Sequence, residues 1–265
     1  MIAETRVPGG SAVAESLARE RAAGSGLLAG GVAYRFFIWL VPFGLVLAGI
    51  ASFWADADPE SLESMAKRFG IAGAAAASAR AAFETEAHSR WYLLAVGLVL
   101  LVWSGTSAVR ALRIAYALAW ADRLGKLRRP IYASLLFAGV AVGGIVLGLA
   151  AQWVRHNAGR GWGLIATLAL LVVYLGAATG VMNLLPHGGA PWTALWPGVV
   201  LVAVGQELMH VLVTFYLAPK LERSPELYGS LGAATVVLLW LYLTARLFVS
   251  AAFLNATLWD RRNRT

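Results

Sequence analysis

Residues 26–54 read GLLAGGVAYRFFIWLVPFGLVLAGIASFW. Apart from Tyr34, Arg35 and Ser52, every position in this run is apolar, glycine or proline. As a helix rising 1.5 Å per residue, it would reach roughly 43 Å, more than the ~30 Å of a bilayer's hydrocarbon core. A membrane β-strand would alternate polar and apolar residues over about ten positions. No such alternation occurs here, so the run reads as a transmembrane helix that closes its own backbone hydrogen bonds. Pro42 lies well inside it, removes one backbone donor and predicts a kink.

Working outward, five further stretches have the same character: residues 91–118, 131–153, 162–185, 192–217 and 229–259. Aromatic residues that favour interfacial depth mark many of the ends, among them Trp54, Trp91, Trp120, Trp153, Trp162, Trp192, Tyr228 and Trp259. The fold class expected is all-α: a polytopic transmembrane bundle of six spans, with short amphipathic interfacial helices. Composition agrees. The 265-residue chain is 59% hydrophobic and only 14% charged, and its mean hydropathy is +0.68. A soluble domain of this size has too little interior to hide that much apolar surface. The absence of cysteine removes disulfide scaffolds, Cys-ligated zinc, iron–sulfur clusters and thiol nucleophiles.

The polar segments divide the chain. Residues 1–25 form a cytoplasmic N-terminal segment, in which Ser11, Glu15, Arg19 and Glu20 alternate with Val13, Ala14, Leu17 and Ala18, as in a short amphipathic helix at the interface. The apolar stretch that follows is too long for a signal-peptide core. Residues 26–260 form the six-span membrane domain, and 261–265 a basic cytoplasmic tail. The loop over residues 55–90 is expected outside. Asp58 and Pro59 start one amphipathic helix there, and an Ala-rich helix follows over residues 74–86. Arg123, Lys126, Arg128 and Arg129 crowd one short loop, while Arg261, Arg262 and Arg264 crowd the tail. With six spans these fall on one side with both termini, which the positive-inside rule makes the cytoplasm. The protein is thus expected in the cell (plasma or inner) membrane. Its net charge of +8 points to anionic lipid headgroups at the cytoplasmic face as partners, not to nucleic acid.

Chemistry in such a chain is sought among ionisable groups inside the spans, since each costs several kcal/mol to bury in lipid. The candidates are Arg35 in the first span, Arg110 in the second, Glu207 and His210 one turn apart in the fifth, and Arg246 in the sixth. Together they read either as a site for an anionic solute or lipid headgroup, or as interhelical pairs that fix the bundle. Depth counting puts Glu207 and Arg246 within roughly 7 Å of each other along the membrane normal, so these two are expected to pair. The four histidines form no HxH or HExxH pattern, and neither a phosphate loop nor a Gly-x-Ser-x-Gly elbow occurs. No catalytic residue, metal ligand or cofactor is assigned.

Three stretches carry a resemblance. The first is residues 33–42, AYRFFIWLVP. The second is Trp103-Ser104-Gly105 with residues 108–120 and the basic loop beyond. The third comprises residues 186–197, Tyr228-Gly229-Ser230-Leu231-Gly232-Ala233 and Leu239-Trp240-Leu241-Tyr242-Leu243. Over about residues 15–260 the chain resembles the YihY/BrkB family of six-span bacterial inner-membrane proteins, once labelled ribonuclease BN. The resemblance implies a plasma-membrane helical bundle, with links to serum resistance or envelope biology in some relatives. Many members end the last span in Gly-Ala-Glu-Leu-Asn. Here residues 251–255 read AAFLN, so Phe253 stands in place of the acidic residue and no role of that carboxylate carries over. Three readings follow. The chain is a transporter or lipid-handling protein using Arg35, Arg110, Glu207 and Arg246. Alternatively it is a structural or partner-binding envelope protein whose charges serve packing. An RNA-processing enzyme is the third, on the old label alone.

Overall fold

The computed structural model describes residues 11–55, 87–122, 131–143 (except 133 and 141), 159–212 and 225–263. Helix α1 spans Ala12–Ala22, α2 Ser25–Ala55, α3 Ala87–Ala119, α4 Gly159–Leu184, α5 Trp196–Leu212 and α6 Pro225–Arg262. A single 3-10 turn, Trp192–Leu195, leads into α5, and residues 134–140 are also helical. No strand occurs among the described residues. The all-helical expectation holds.

Four stretches are long and apolar enough to cross a membrane: Ser25–Leu47, Leu94–Ala119, Trp192–Met209 and Val237–Arg262. Leu168–Leu184 in α4 is a shorter apolar helix. The second half of the expected third span, from residue 144 on, and the expected helices within residues 56–86 lie outside the described residues. α2 runs unbroken through Pro42. Proline has no N–H, so the carbonyl of Ile38 loses its in-helix donor.

α2 packs most extensively on α3, and α6 packs on both α2 and α5. α4 packs on α5. The core combines small residues with a few large ones: Ala29, Ala33, Ala108, Ala115, Ala245, Ala251 and Ala252 let backbones approach, while Tyr116, Met182 and Phe253 fill the remainder. Small residues do this in membrane bundles because close backbone packing replaces the hydrophobic drive between helices. Phe253 is buried in this core. A second cluster joins Trp39, Phe43, Val46 and Leu101. There Trp39 stacks on Phe43 at 4.6 Å and meets Phe137 edge-on at 4.8 Å.

The break between α4 and α5 is pinned from α6. Asn255, fully buried, accepts a 2.7 Å hydrogen bond from the Gly198 amide and donates to the Leu195 carbonyl at 3.0 Å. Nearby, Asp122 accepts from the Gly188 amide at 3.3 Å, tying the end of α3 to the same loop. Gly188 and Gly189 both have positive φ, 58° and 74°, a conformation in which a Cβ is strained.

α1 turns its polar face to the bundle and its apolar residues outward. Its buried residues are polar, Ser16 and Glu20, while Val13 and Leu17 point outward. Three ion pairs bind the inward face to α6: Glu15 to Arg261 at 2.7 Å, Arg19 to Asp260 at 2.8 Å and Glu20 to Arg246 at 2.8 Å. Partner numbers fall as α1 numbers rise, so α1 runs antiparallel to the end of α6.

Candidate functional site

Arg35 and Arg110 come together. They line one open groove of about 550 Å³ between α2 and α3, with Ile38, Trp103, Ser104, Thr106, Ser107, Ala111 and Ile114. The spacing explains the shared wall. Trp103, Ser107, Arg110 and Ile114 recur every three or four residues and fall on one face of α3. Arg35 stands ten residues past the start of the apolar Ser25–Leu47 stretch, and Arg110 nine residues before the end of Leu94–Ala119. At 1.5 Å per residue, each lies about 15 Å from its helix's end at that side of the bundle. This is deep for a guanidinium.

The polar chemistry of the groove is dominated by donors. Arg35 donates to the Ser107 hydroxyl at 2.9 Å. Ser104 and Thr106 give their protons to the carbonyls of Leu100 and Trp103, both at 2.7 Å. No carboxylate forms an ion pair with Arg35 or Arg110 among the described residues. Trp103 is 71% exposed and Ile114 43%, so the groove opens sideways past apolar groups. Two planar, permanently charged donor forks beside a hydroxyl suit an oxyanion, which can accept from several of them at once.

The other candidates are elsewhere. Arg246 pairs with Glu20 at 2.8 Å and also donates to the Ser25 hydroxyl. Glu20 takes a further 2.8 Å bond from Ser250. This corrects the expected Glu207–Arg246 pair. Depth counting considered only groups inside the spans, whereas α1 packs along α6 and delivers its own carboxylate. Glu207 lies on α5 beside Gln206, which donates to Thr244 at 3.3 Å. Both Glu207 carboxylate oxygens are buried with no hydrogen-bond partner among the described residues. His210 lies on the same helix, but its side chain is outside what is described. Neither Glu207 nor Arg246 lines the Arg35–Arg110 groove.

Sequence reasoning missed two residues at this level: Ser107, which joins Arg35 to α3, and Glu20, which neutralises Arg246. The signal for Ser107 was its three-residue spacing from Arg110. The signal for Glu20 was a carboxylate six residues before the first span. Among the described residues, no group of three or more His, Asp or Glu side chains could hold a metal ion.

Over 101 residues, 38% of this chain and 34% of the relative, the sequence is 28% identical to YfkH of Bacillus subtilis, a protein described as ribonuclease-like. The match thus spans about a third of that relative's length. No solved structure matches the chain significantly. A family model described as virulence factor BrkB matches residues 17–265. With that match over nearly its whole length, and with long apolar helices able to cross a bilayer, the chain belongs to the BrkB virulence-factor family and is an integral membrane protein.

Proposed function

We propose that the α2–α3 groove binds an anion, either an anionic solute or a lipid headgroup, and that the protein handles or moves that anion at the membrane. The observation that carries this reading is the pair of exposed arginines about 15 Å from the helix ends, with no carboxylate on either among the described residues. An uncompensated guanidinium at this depth costs at least about 3 kcal/mol. An oxyanion in the groove offsets that cost. The groove side with the shorter path to water is the end holding both termini, and in this reading that end is cytoplasmic. No step of bond cleavage is part of the proposal, and nucleic acid is not its ligand.

The test is thermal unfolding of the purified protein in neutral detergent, titrated with phosphatidylglycerol, phosphatidylcholine or inorganic phosphate. An anionic ligand is expected to raise the midpoint in a saturable way, whereas phosphatidylcholine is not. Arg35→Gln and Arg110→Gln should each abolish the shift. If all three additives act alike on wild type and variants, the groove is not an anion site.

A second reading has its own observation. Arg246, the other deep arginine, is fully engaged by Glu20 and Ser25 inside the protein. A charge of this kind serves packing, as in a structural or partner-binding envelope protein. On that reading Arg35→Gln and Arg110→Gln change basal stability but leave no ligand-dependent difference to lose.

A further inference from the structure

We infer that the outward face of α1 is a membrane-contact surface. Val13 and Leu17 lie in the leaflet at that end of the bundle, and Arg21 meets its phosphates. This inference does not depend on the Arg35–Arg110 groove.

Polarity is the first argument. A helix lying on a soluble core turns its apolar stripe inward and its charges to water. α1 does the reverse. Ser16 and Glu20 are 4% and 1% exposed, whereas Val13 and Leu17 are 59% and 42% exposed. Its charged groups are used up on α6: Glu15, Arg19 and Glu20 each hold an opposite charge there. What remains outside is Val13, Ala14 and Leu17, with Arg21 one turn further on. Val13, Leu17 and Arg21 follow at four-residue intervals and therefore lie on one stripe. A stripe that is apolar with a terminal cation is suited to the boundary between acyl chains and anionic headgroups.

Depth is the second argument. Trp192 and Trp196 are both exposed at the start of α5, with ring centroids 6.5 Å apart. Exposed tryptophans beside a span favour the headgroup level. Asn255 bonds Leu195 and Gly198 directly, so α6 is level with these tryptophans at residue 255. Arg19 bonds Thr257 at 3.2 Å and Asp260 at 2.8 Å, two to five residues further along α6. That is about 3–8 Å beyond the tryptophan level, within the headgroup layer that flanks the hydrocarbon core. Glu20 bonds Ser250, on the core side of residue 255. α1 therefore enters from the headgroup layer and dips towards the acyl chains.

Continuity is the third argument. Across the Gly24 turn, where φ is +64°, Leu27 of α2 is 87% exposed. The apolar surface of α1 thus joins the lipid-facing surface of the first span. Bilayer lipid is the occupant that accounts for both.

The chain has no cysteine, so single labels are read without background. Val13→Cys, Ala14→Cys, Leu17→Cys and Arg21→Cys would each carry a nitroxide in nanodiscs containing phosphatidylglycerol. Collision with dissolved oxygen reports acyl chains, and collision with a water-soluble nickel chelate reports water. At positions 13, 14 and 17 oxygen is expected to exceed the chelate several-fold, with position 21 intermediate. Ala14→Cys changes the side chain least and keeps the test valid if a larger replacement unfolds the protein. Chelate access equal to or above that of oxygen at 13, 14 and 17 would place the face in water and overturn the inference. Spin–spin broadening between labels of separate molecules would overturn it as well, by showing a second copy on this face.

Discussion

Asn255 and Gly198 show how much one contact can hold. A Cβ on Gly198 would lie 2.4 Å from the Asn255 side-chain nitrogen and 2.9 Å from the Ala251 carbonyl oxygen. The second atom belongs to helix backbone and cannot turn aside. Gly198→Ala should therefore destabilise the protein by about 1–3 kcal/mol, the usual penalty for overpacking. Asn255→Leu should cost about as much by a different route, because it strands the Gly198 amide in a dry core. Denaturant or thermal unfolding in detergent measures both, and an unchanged midpoint for Gly198→Ala would refute the close approach. Glu20 is the second decisive residue. It is buried while Arg246 is a third exposed, so Glu20→Ala strands a cation that water only partly reaches. The loss should be about 3 kcal/mol, the low end for breaking a buried pair. Adding Arg246→Leu should recover part of it, since no uncompensated charge then remains. A double variant no more stable than the worse single one would dismiss the coupling.

Among the elements, the spans were legible and α1 was only half so. Continuous apolar runs can be read without knowing their neighbours, because lipid forces the backbone into helices wherever they occur. α2 and α3 accordingly begin and end within a few residues of the runs at 26–54 and 91–118. The helix at α1 was legible too, from the alternation of polar and apolar residues, and Ser11 caps it by accepting from the Ala14 amide at 3.2 Å. The partner of its polar face was not. A pattern of alternating polar and apolar residues gives the moment of a helix but not which side is inside, and that depends on what α6 offers. Asp260, Arg261 and Arg246 became a partner surface only once the last helix was in place. For the same reason Arg35 and Arg110 were visible singly but not as a pair, since their meeting depends on how α2 crosses α3. The α1–α6 seam makes its own prediction. Glu15 is mostly buried and Arg261 over a third exposed, so Glu15→Arg should cost about 1 kcal/mol, near the upper value for an exposed pair. Adding Arg261→Glu rebuilds the pair with reversed sign and should restore most of the loss in unfolding midpoint. No recovery would mean that the pair does not couple the two helices.

For the whole molecule, activity and orientation are both testable. Hydrolysis of RNA by the metal-assisted route needs clustered oxygen or nitrogen ligands. The purified protein, freed of soluble nucleases, is therefore expected not to cleave tRNA precursors with zinc or magnesium added. Turnover lost on a single substitution in this chain would contradict that. Orientation has the fuller argument. Asp122 at the end of α3 bonds Gly188, and Asn255 near the end of α6 bonds Leu195 and Gly198. Glu15 and Arg19 at the start of the chain bond Arg261 and Asp260. These contacts gather the end of α3, the α4–α5 loop, the end of α6 and all of α1 at one end of the bundle. The basic residues Arg19, Arg21, Arg261 and Arg262 are therefore at that end. Asp122, at that end, is followed in sequence by Arg123, Lys126, Arg128 and Arg129. Short segments this rich in Lys and Arg stay in the cytoplasm during insertion. Reporter fusions after residue 122 and after residue 265 should both be active only in their cytoplasmic form, and a fusion within residues 56–86 only in its exported form. If the first two reporters disagreed with each other, the shared end itself would be wrong. If both reported export, the grouping would stand and the charge rule would fail for this chain. The Arg35–Arg110 groove, about 15 Å in from that end, would then face an anion coming from outside the cell.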